Sequence, residues 1–256
     1  MSLKMLSPRQ ESILNRVVDT HIQTAQPVGS QCITDLFQDL YRSCYSSATV
    51  RHEMGSLEEM GYLTHPHISA GRIPTDQGYR YYVDHSLKEE TLPRDLLRGV
   101  EAELEQSAAE GFADLAEQVS TVLSNLTGEV SVFIQGSEAK NFRVFVQGSS
   151  RILDKPEFQN VGKIQLLLKA LEEKNSLAEW LSESTAESGV SINIGRENRP
   201  EVFRSCALVS TRCFVRGDFS GTVAVLGPQR MQYSRAVAIV AQVSRILARI
   251  LDLEET

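Results

Sequence analysis

The sequence predicts an α+β protein built in two parts, and three observations carry that reading. Up to Gly61, apolar residues recur at spacings of three and four, the period of amphipathic helices. There the period breaks into short runs rich in Tyr, His and Thr. Beyond residue 128, alternating Val, Ile and Phe segments stand between long helical patterns, which frames an antiparallel sheet with helices. A chain of 256 residues is long enough for two domains at roughly 100 to 200 residues each.

The first helix opens with Ser7 as N-cap, Pro8 at the first helical position and Gln10 three after the cap, a capping box. Ile13, Leu14, Val17, Val18 and Ile22 form its apolar stripe, and "AQPVGS" ends it. Ser30 caps a short second helix with Cys32, Ile33, Leu36, Phe37 and Leu40 inward. Ser46 caps a third, with Val50, Met54, Leu57 and Met60 inward before Gly61 stops it. "YLTHP" and "RIPT" are short strands around the turn "HISAG". Thr75 then caps a last short helix that packs Tyr79, Tyr82 and Val83 back. Three helices followed by a hairpin make a winged helix-turn-helix.

In the second part, residues 93–128 read as one long amphipathic helix, and "DKPEFQNVGKIQLLLKALEEKNSLAEWL" as another. "EVSVFIQ", "FRVFVQG", "GVSINIG", "SCALVSTRCFV" and "GTVAVLG" are strands, and a helix from Tyr233 closes the chain. The division falls at 1–88 and 89–256.

Composition excludes several classes. No apolar run approaches the roughly 18 residues of a membrane span, and the opening "MSLKMLSPRQ" lacks the apolar core of a signal peptide, so the protein is read as cytoplasmic. Cys32, Cys44, Cys206 and Cys213 have neither metal-binding spacing nor the density of a disulfide scaffold and are read as buried thiols. The net charge is −7, and residues 1–85 carry seven Lys and Arg against nine Asp and Glu. A nucleic-acid site must therefore be a local patch. All five histidines lie within residues 1–85, so the second part lacks the commonest general base. No nucleophile elbow, phosphate loop or HExxH helix appears, and no enzyme is expected. His65 and His67 face one side of a strand, but zinc takes three or four ligands and none is suitably spaced nearby. No metal or cofactor is expected.

In a helix-turn-helix the second helix of the motif enters the major groove by its N-terminal end. That helix starts at Ser46 and projects Ser47, Thr49, Arg51, His52 and, a turn later, Ser56. Arginine can grip guanine in two places, and serine, threonine and histidine can reach base or phosphate. The hairpin places His67, Ser69 and Arg72 toward the backbone or minor groove. The competing reading is the solvated side of a surface helix.

These residues carry a resemblance. "SSATVRHEMGSLEEMGYLTHPHISAGRIPTDQGYRYYVD" closely resembles the N-terminal domain of the HrcA heat-inducible transcription repressors, and "LSPRQESILNRVVDTHIQTAQPVGS" their first helix and turn. "GSSRILDKPEF" and "GTVAVLGPQRMQYSRAVAIV" are similar to the family's C-terminal signatures. The resemblance implies a repressor of chaperone operons that binds an inverted-repeat operator as a homodimer, is favoured by the chaperonin and is released on heat stress. It also implies a GAF-like second domain for regulation and dimerisation. The chain departs from the family pattern at Ser47, His52 and Ile68, and only "EVSVFIQGSEAKNFRVFV" stands where members carry a long dimer-forming middle region. Two other functions fit a winged helix: a ligand-sensing regulator, and a protein-interaction module that does not touch DNA.

Overall fold

The computed structural model describes residues 6–41, 45–67, 70–88, 90–136, 142–215 and 218–254. The chain divides into two compact units, Met1–Leu87 and Lys88–Thr256.

In the first unit, helix α1 (Pro8–Thr24) begins with the capping box: Gln10 N donates to Ser7 Oγ at 3.3 Å, and Ser7 N donates to Gln10 Oε1 at 3.0 Å. Its Ile13, Leu14, Val17 and Val18 are fully buried. Helix α2 (Ser30–Tyr41) and helix α3 (Ser47–Glu59) pack on it, with Ile33, Val50, Met54 and Leu57 closed off from solvent. Gly61, at φ +85°, turns the chain into strand β1 (Leu63–Thr64), which pairs antiparallel with β2 (Ile73–Pro74). Helix α4 (Asp76–Ser86) follows, its Thr75 cap accepting from Gly78 N at 3.1 Å.

Two inward assignments are corrected here. Cys32 is exposed, and the buried neighbour of Ile33 is Thr34, whose hydroxyl is satisfied by Ser30 O at 2.9 Å within the helix. In α4, Tyr81 is buried edge-to-face on Tyr62, whereas Tyr82 is half-buried, its hydroxyl donating to Asp19 Oδ1 on α1 at 2.8 Å. The side chain of Leu40, and Cys44, Ile68 and Ser69, lie outside the described residues.

The second unit opens with α5 (Arg94–Glu110) and α6 (Phe112–Thr127), where a single helix was expected. Gly111 breaks it: at φ +142° and ψ 163° it is extended on the side open to glycine. The two halves fold back on each other, and Gln118 donates to Glu103 across the hairpin. The burial of Leu104 on one helix and of Leu115 and Val119 on the other is the gain a continuous helix would forgo.

Strands β3 (Val130–Gln135), β4 (Arg143–Gln147), β5 (Val190–Ile194), β6 (Cys206–Val215) and β7 (Asp218–Pro228) form a five-stranded antiparallel sheet in the order β4-β3-β7-β6-β5. Between β4 and β5 the expected single helix is divided. Two 3-10 turns, Ser149–Asp154 and Pro156–Phe158, precede α7 (Val161–Glu172) and α8 (Lys174–Ser184). The break at Glu173, with ψ 73°, lets both helices lay Leu167, Leu171, Leu177 and Leu181 on one core. Helix α9 (Tyr233–Glu254) ends the unit.

Helices cover both faces of the sheet. Val130, Val132, Leu208 and Leu226 meet α7, α8 and the stacked Trp180–Phe203 pair, while Ser131 donates to Ser120 O on α6 at 2.5 Å and Cys213 to Ser244 O on α9 at 3.7 Å. Double coverage is why β3 reads as a nearly unbroken apolar run.

Candidate nucleic-acid interface

The start of α3 is built by hydroxyls. Ser46 Oγ accepts from Thr49 N at 3.1 Å and lies 2.9 Å from Thr49 Oγ1, so these two side chains close the helix end on each other. Ser47 Oγ sits 3.2 Å from Ser30 Oγ, tying the first turns of α2 and α3 together. With Val50 and Met54 buried beneath, Arg51 and His52 stand exposed on the opposite side, and Ser56 half-buried a turn later.

The charge of this unit is spent locally, with one exception. Arg9 pairs with Glu53 at 3.4 Å, Arg16 with Asp19 at 3.7 Å, Arg72 with Glu58 at 2.9 Å and Arg80 with Asp84 at 3.1 Å. Among the described arginines of the unit, Arg51 is the one with no acidic partner. A formally acidic unit thus presents an uncompensated guanidinium on the fifth residue of α3, near the helix end whose dipole favours an anion.

The hairpin differs from expectation in its use of charge. Arg72 is not a free cation of the wing. Its Nε donates to Glu58 Oε2, while His65 Nδ1 bonds the other carboxylate oxygen. Partial burial would raise the Glu58 carboxyl, but the hydrogen bonds and charges of Arg72 and His65 outweigh it and hold it below the usual carboxylate range. The stability this supplies is present above the ordinary value near 4.5 and is lost as pH falls through the lowered one. His67 is exposed toward the tip. Glu58 is the residue the sequence reading passed over, although an acid ending the reading helix and a lone arginine in the following hairpin were its signal.

The second unit holds no comparable set. Cys206 and Cys213 are buried, their thiols pushed up to about 12 and about 11, and they are inert at neutral pH. Among the described residues no group of three or more His, Cys, Asp or Glu could hold a metal ion, and no helix is long and apolar enough to cross a membrane. An open cleft of about 1160 Å3 lies between β4 and α8, lined by Phe142, Arg143, Lys174 and Glu179 among others. Elsewhere in the unit, the Glu129 carboxylate is buried and accepts from Lys155 Nζ at 2.8 Å. Burial pushes it above its ordinary range against the pull of that ammonium.

A capped helix with an exposed cation near its start, braced by a partner helix and a short hairpin, defines the helix-turn-helix class of regulator. The profile of the "HrcA protein C terminal domain" matches residues 79–237. The heat-inducible transcription repressor HrcA of Natranaerobius thermophilus is 30% identical over 342 aligned positions, covering 96% of this chain and 97% of that protein. That of Shouchella clausii is 28% identical, covering 96% and 98%. The chain belongs to the HrcA family and is accordingly a transcription repressor, not an enzyme. An alignment of 342 positions exceeds the chain's own 256 residues, so these relatives carry sequence with no counterpart here. A crystal structure of a hypothetical protein shares the fold at a TM-score of 0.77 and 20% identity, covering 97% of this chain and 99% of that one.

Proposed function

We propose that this protein represses chaperone operons from the cytoplasm by binding an inverted-repeat operator as a homodimer. Residues 1–88 act as a winged helix-turn-helix, and residues 89–256 as a GAF-like regulatory and dimerisation domain with a chaperonin as modulator. Arg51, Thr49 and His52 read base edges, Ser46 and Ser56 flank them, and Ser47 and His67 lie along the DNA backbone, while Arg72, held by Glu58, braces the wing. The observation that carries this reading is Arg51, unpaired and exposed near the start of α3 in a unit that neutralises its other described arginines.

The test is a titration of the purified protein against a duplex carrying the relatives' inverted repeat and against a scrambled duplex, at several salt concentrations. Preference for the repeat, with affinity falling steeply as salt rises, is the expected result. Salt-independent binding, or no preference with the dimer intact, would sink it. A second reading, small-molecule sensing by the second unit, is favoured by the cleft between β4 and α8 and its mixed Arg143, Lys174 and Glu179 lining.

A further inference from the structure

We propose that Glu58 is a positioning residue for DNA recognition: from the last turn of α3 it sets the angle of the hairpin against the reading helix. This rests on the DNA-binding reading above.

The hairpin cannot hold itself. Its ladder is two residue pairs long, Leu63↔Pro74 and Thr64↔Ile73, and Pro74 has no N–H to give. Two-stranded hairpins even longer than this are marginal in water without outside support. Its base is anchored by the buried Leu63 and by the Thr75 hydroxyl, which donates to Gly61 O at 2.6 Å and Tyr62 O at 3.2 Å. Toward the tip, support comes from two directions. On one side the backbones of Val28 and Arg72 exchange hydrogen bonds of 2.8 and 2.9 Å. Gly71 permits this approach, since a Cβ there would stand 2.5 Å from the Val28 carbonyl carbon.

On the other side is Glu58. His65 directly follows β1 and Arg72 directly precedes β2, and the two oxygens of one carboxylate take one each. The grip falls just beyond the ladder, on the side of the tip, where it governs the direction of His67. The arginine reaches back along α3: its Nη2 lies 3.9 Å from the place of a Cβ on Gly55, an ordinary contact distance.

Charge and position predict opposite signs for this residue. Glu58 is an anion on a surface that meets a polyanion, so if it were only a charge, its removal would tighten binding to every duplex. If it aims the hairpin, its removal misplaces the backbone contacts relative to the base contacts. Preference for the operator then falls.

The experiment titrates wild type, Glu58→Ala, Glu58→Gln and His65→Ala against the inverted-repeat duplex and its scrambled counterpart, and measures amide hydrogen exchange across residues 63–73 in the DNA-free proteins. Expected for Glu58→Ala is a loss of about tenfold in preference, of the order of one mispositioned contact. Affinity for scrambled DNA holds or rises, and the hairpin amides exchange faster while those of α3 do not. Glu58→Gln, with the same length and one remaining acceptor, should recover part of the preference. If Glu58→Ala does not fold, His65→Ala decides, since it removes one tie and no acid; a preference equal to wild type then overturns the proposal. Tighter binding of both duplexes, or an unchanged preference in Glu58→Ala, overturns it as well. Wild type that prefers no duplex would reject the DNA-binding reading and this role with it, while the exchange result separately reports whether the tie exists.

Discussion

At the residue scale, the first unit is a lesson in which arginines are available. Its formal charge is negative, yet what a nucleic acid meets is decided by pairing, and Arg9, Arg16, Arg72 and Arg80 each face a carboxylate. Exposed pairs of this kind are worth little to stability, but they cancel the charge that would steer a polyanion. Arg51 keeps its charge. We expect Arg51→Ala to cost about 1 to 3 kcal/mol on the inverted repeat and to relax selection at one base position, with scrambled DNA little affected. Binding titrations with single-base variants of the repeat check it, and equal losses on both duplexes would mean that Arg51 reads no base.

At the element scale, glycines mark where elements touch and where they merely pass. Gly78 lies in the first turn of α4 against β1's approach, where a Cβ would come within 2.2 Å of Tyr62 O, a backbone atom with no freedom to retreat. Gly78→Ala should therefore destabilise the first unit by about 1 to 3 kcal/mol despite its better helix propensity. Gly99, exposed inside α5, has nothing within 4 Å of that position. There the same substitution should stabilise by roughly 0.5 to 1 kcal/mol. Denaturant titration of the two variants gives the signs directly, and like signs would contradict the packing described.

At the scale of the whole molecule, one route to heat release is a unit that fails near the working temperature. The second unit holds a liability of that kind in the Glu129–Lys155 pair, enclosed where the end of β7 passes. A Cβ on Gly227 would sit 2.5 Å from Glu129 Oε2. Lys155→Met strands the carboxylate and should cost about 3 kcal/mol, or roughly 6 to 12 °C in a unit of this size. Because burial raises the Glu129 carboxyl, its protonated form is the better tolerated. The penalty should be smaller at pH 5 than at pH 7.5. If this unit is the thermal element, the temperature at which the repeat is released falls with the melting temperature, measured by calorimetry and by binding on the same samples. A release temperature that stays while the melting temperature drops would place heat sensing elsewhere.

Local and periodic features were legible in the chain alone: the capping box at Ser7, the caps at Ser46 and Thr75, the stripes of α1 and α3, the five strands of the sheet, and the exposure of Arg51 and His52. Each follows from spacing within one element, which a reader of the chain can count. What only the tertiary structure decided depends on partners distant in the chain. The helix over residues 93–128 is two because Gly111 permits a turn and burial of its apolar face rewards it, and residues 154–181 divide at Glu173, where burial of both halves on one core rewards the break. Cys32 and Thr34 exchange places because inward direction on a short helix is set by what packs there. Arg72 passed from a free wing cation to a member of a tie because Glu58, fourteen residues earlier, is folded against it. Periodicity encodes which face is apolar; it carries no record of which charge will be met across a turn, and pairing is decided by distance in space.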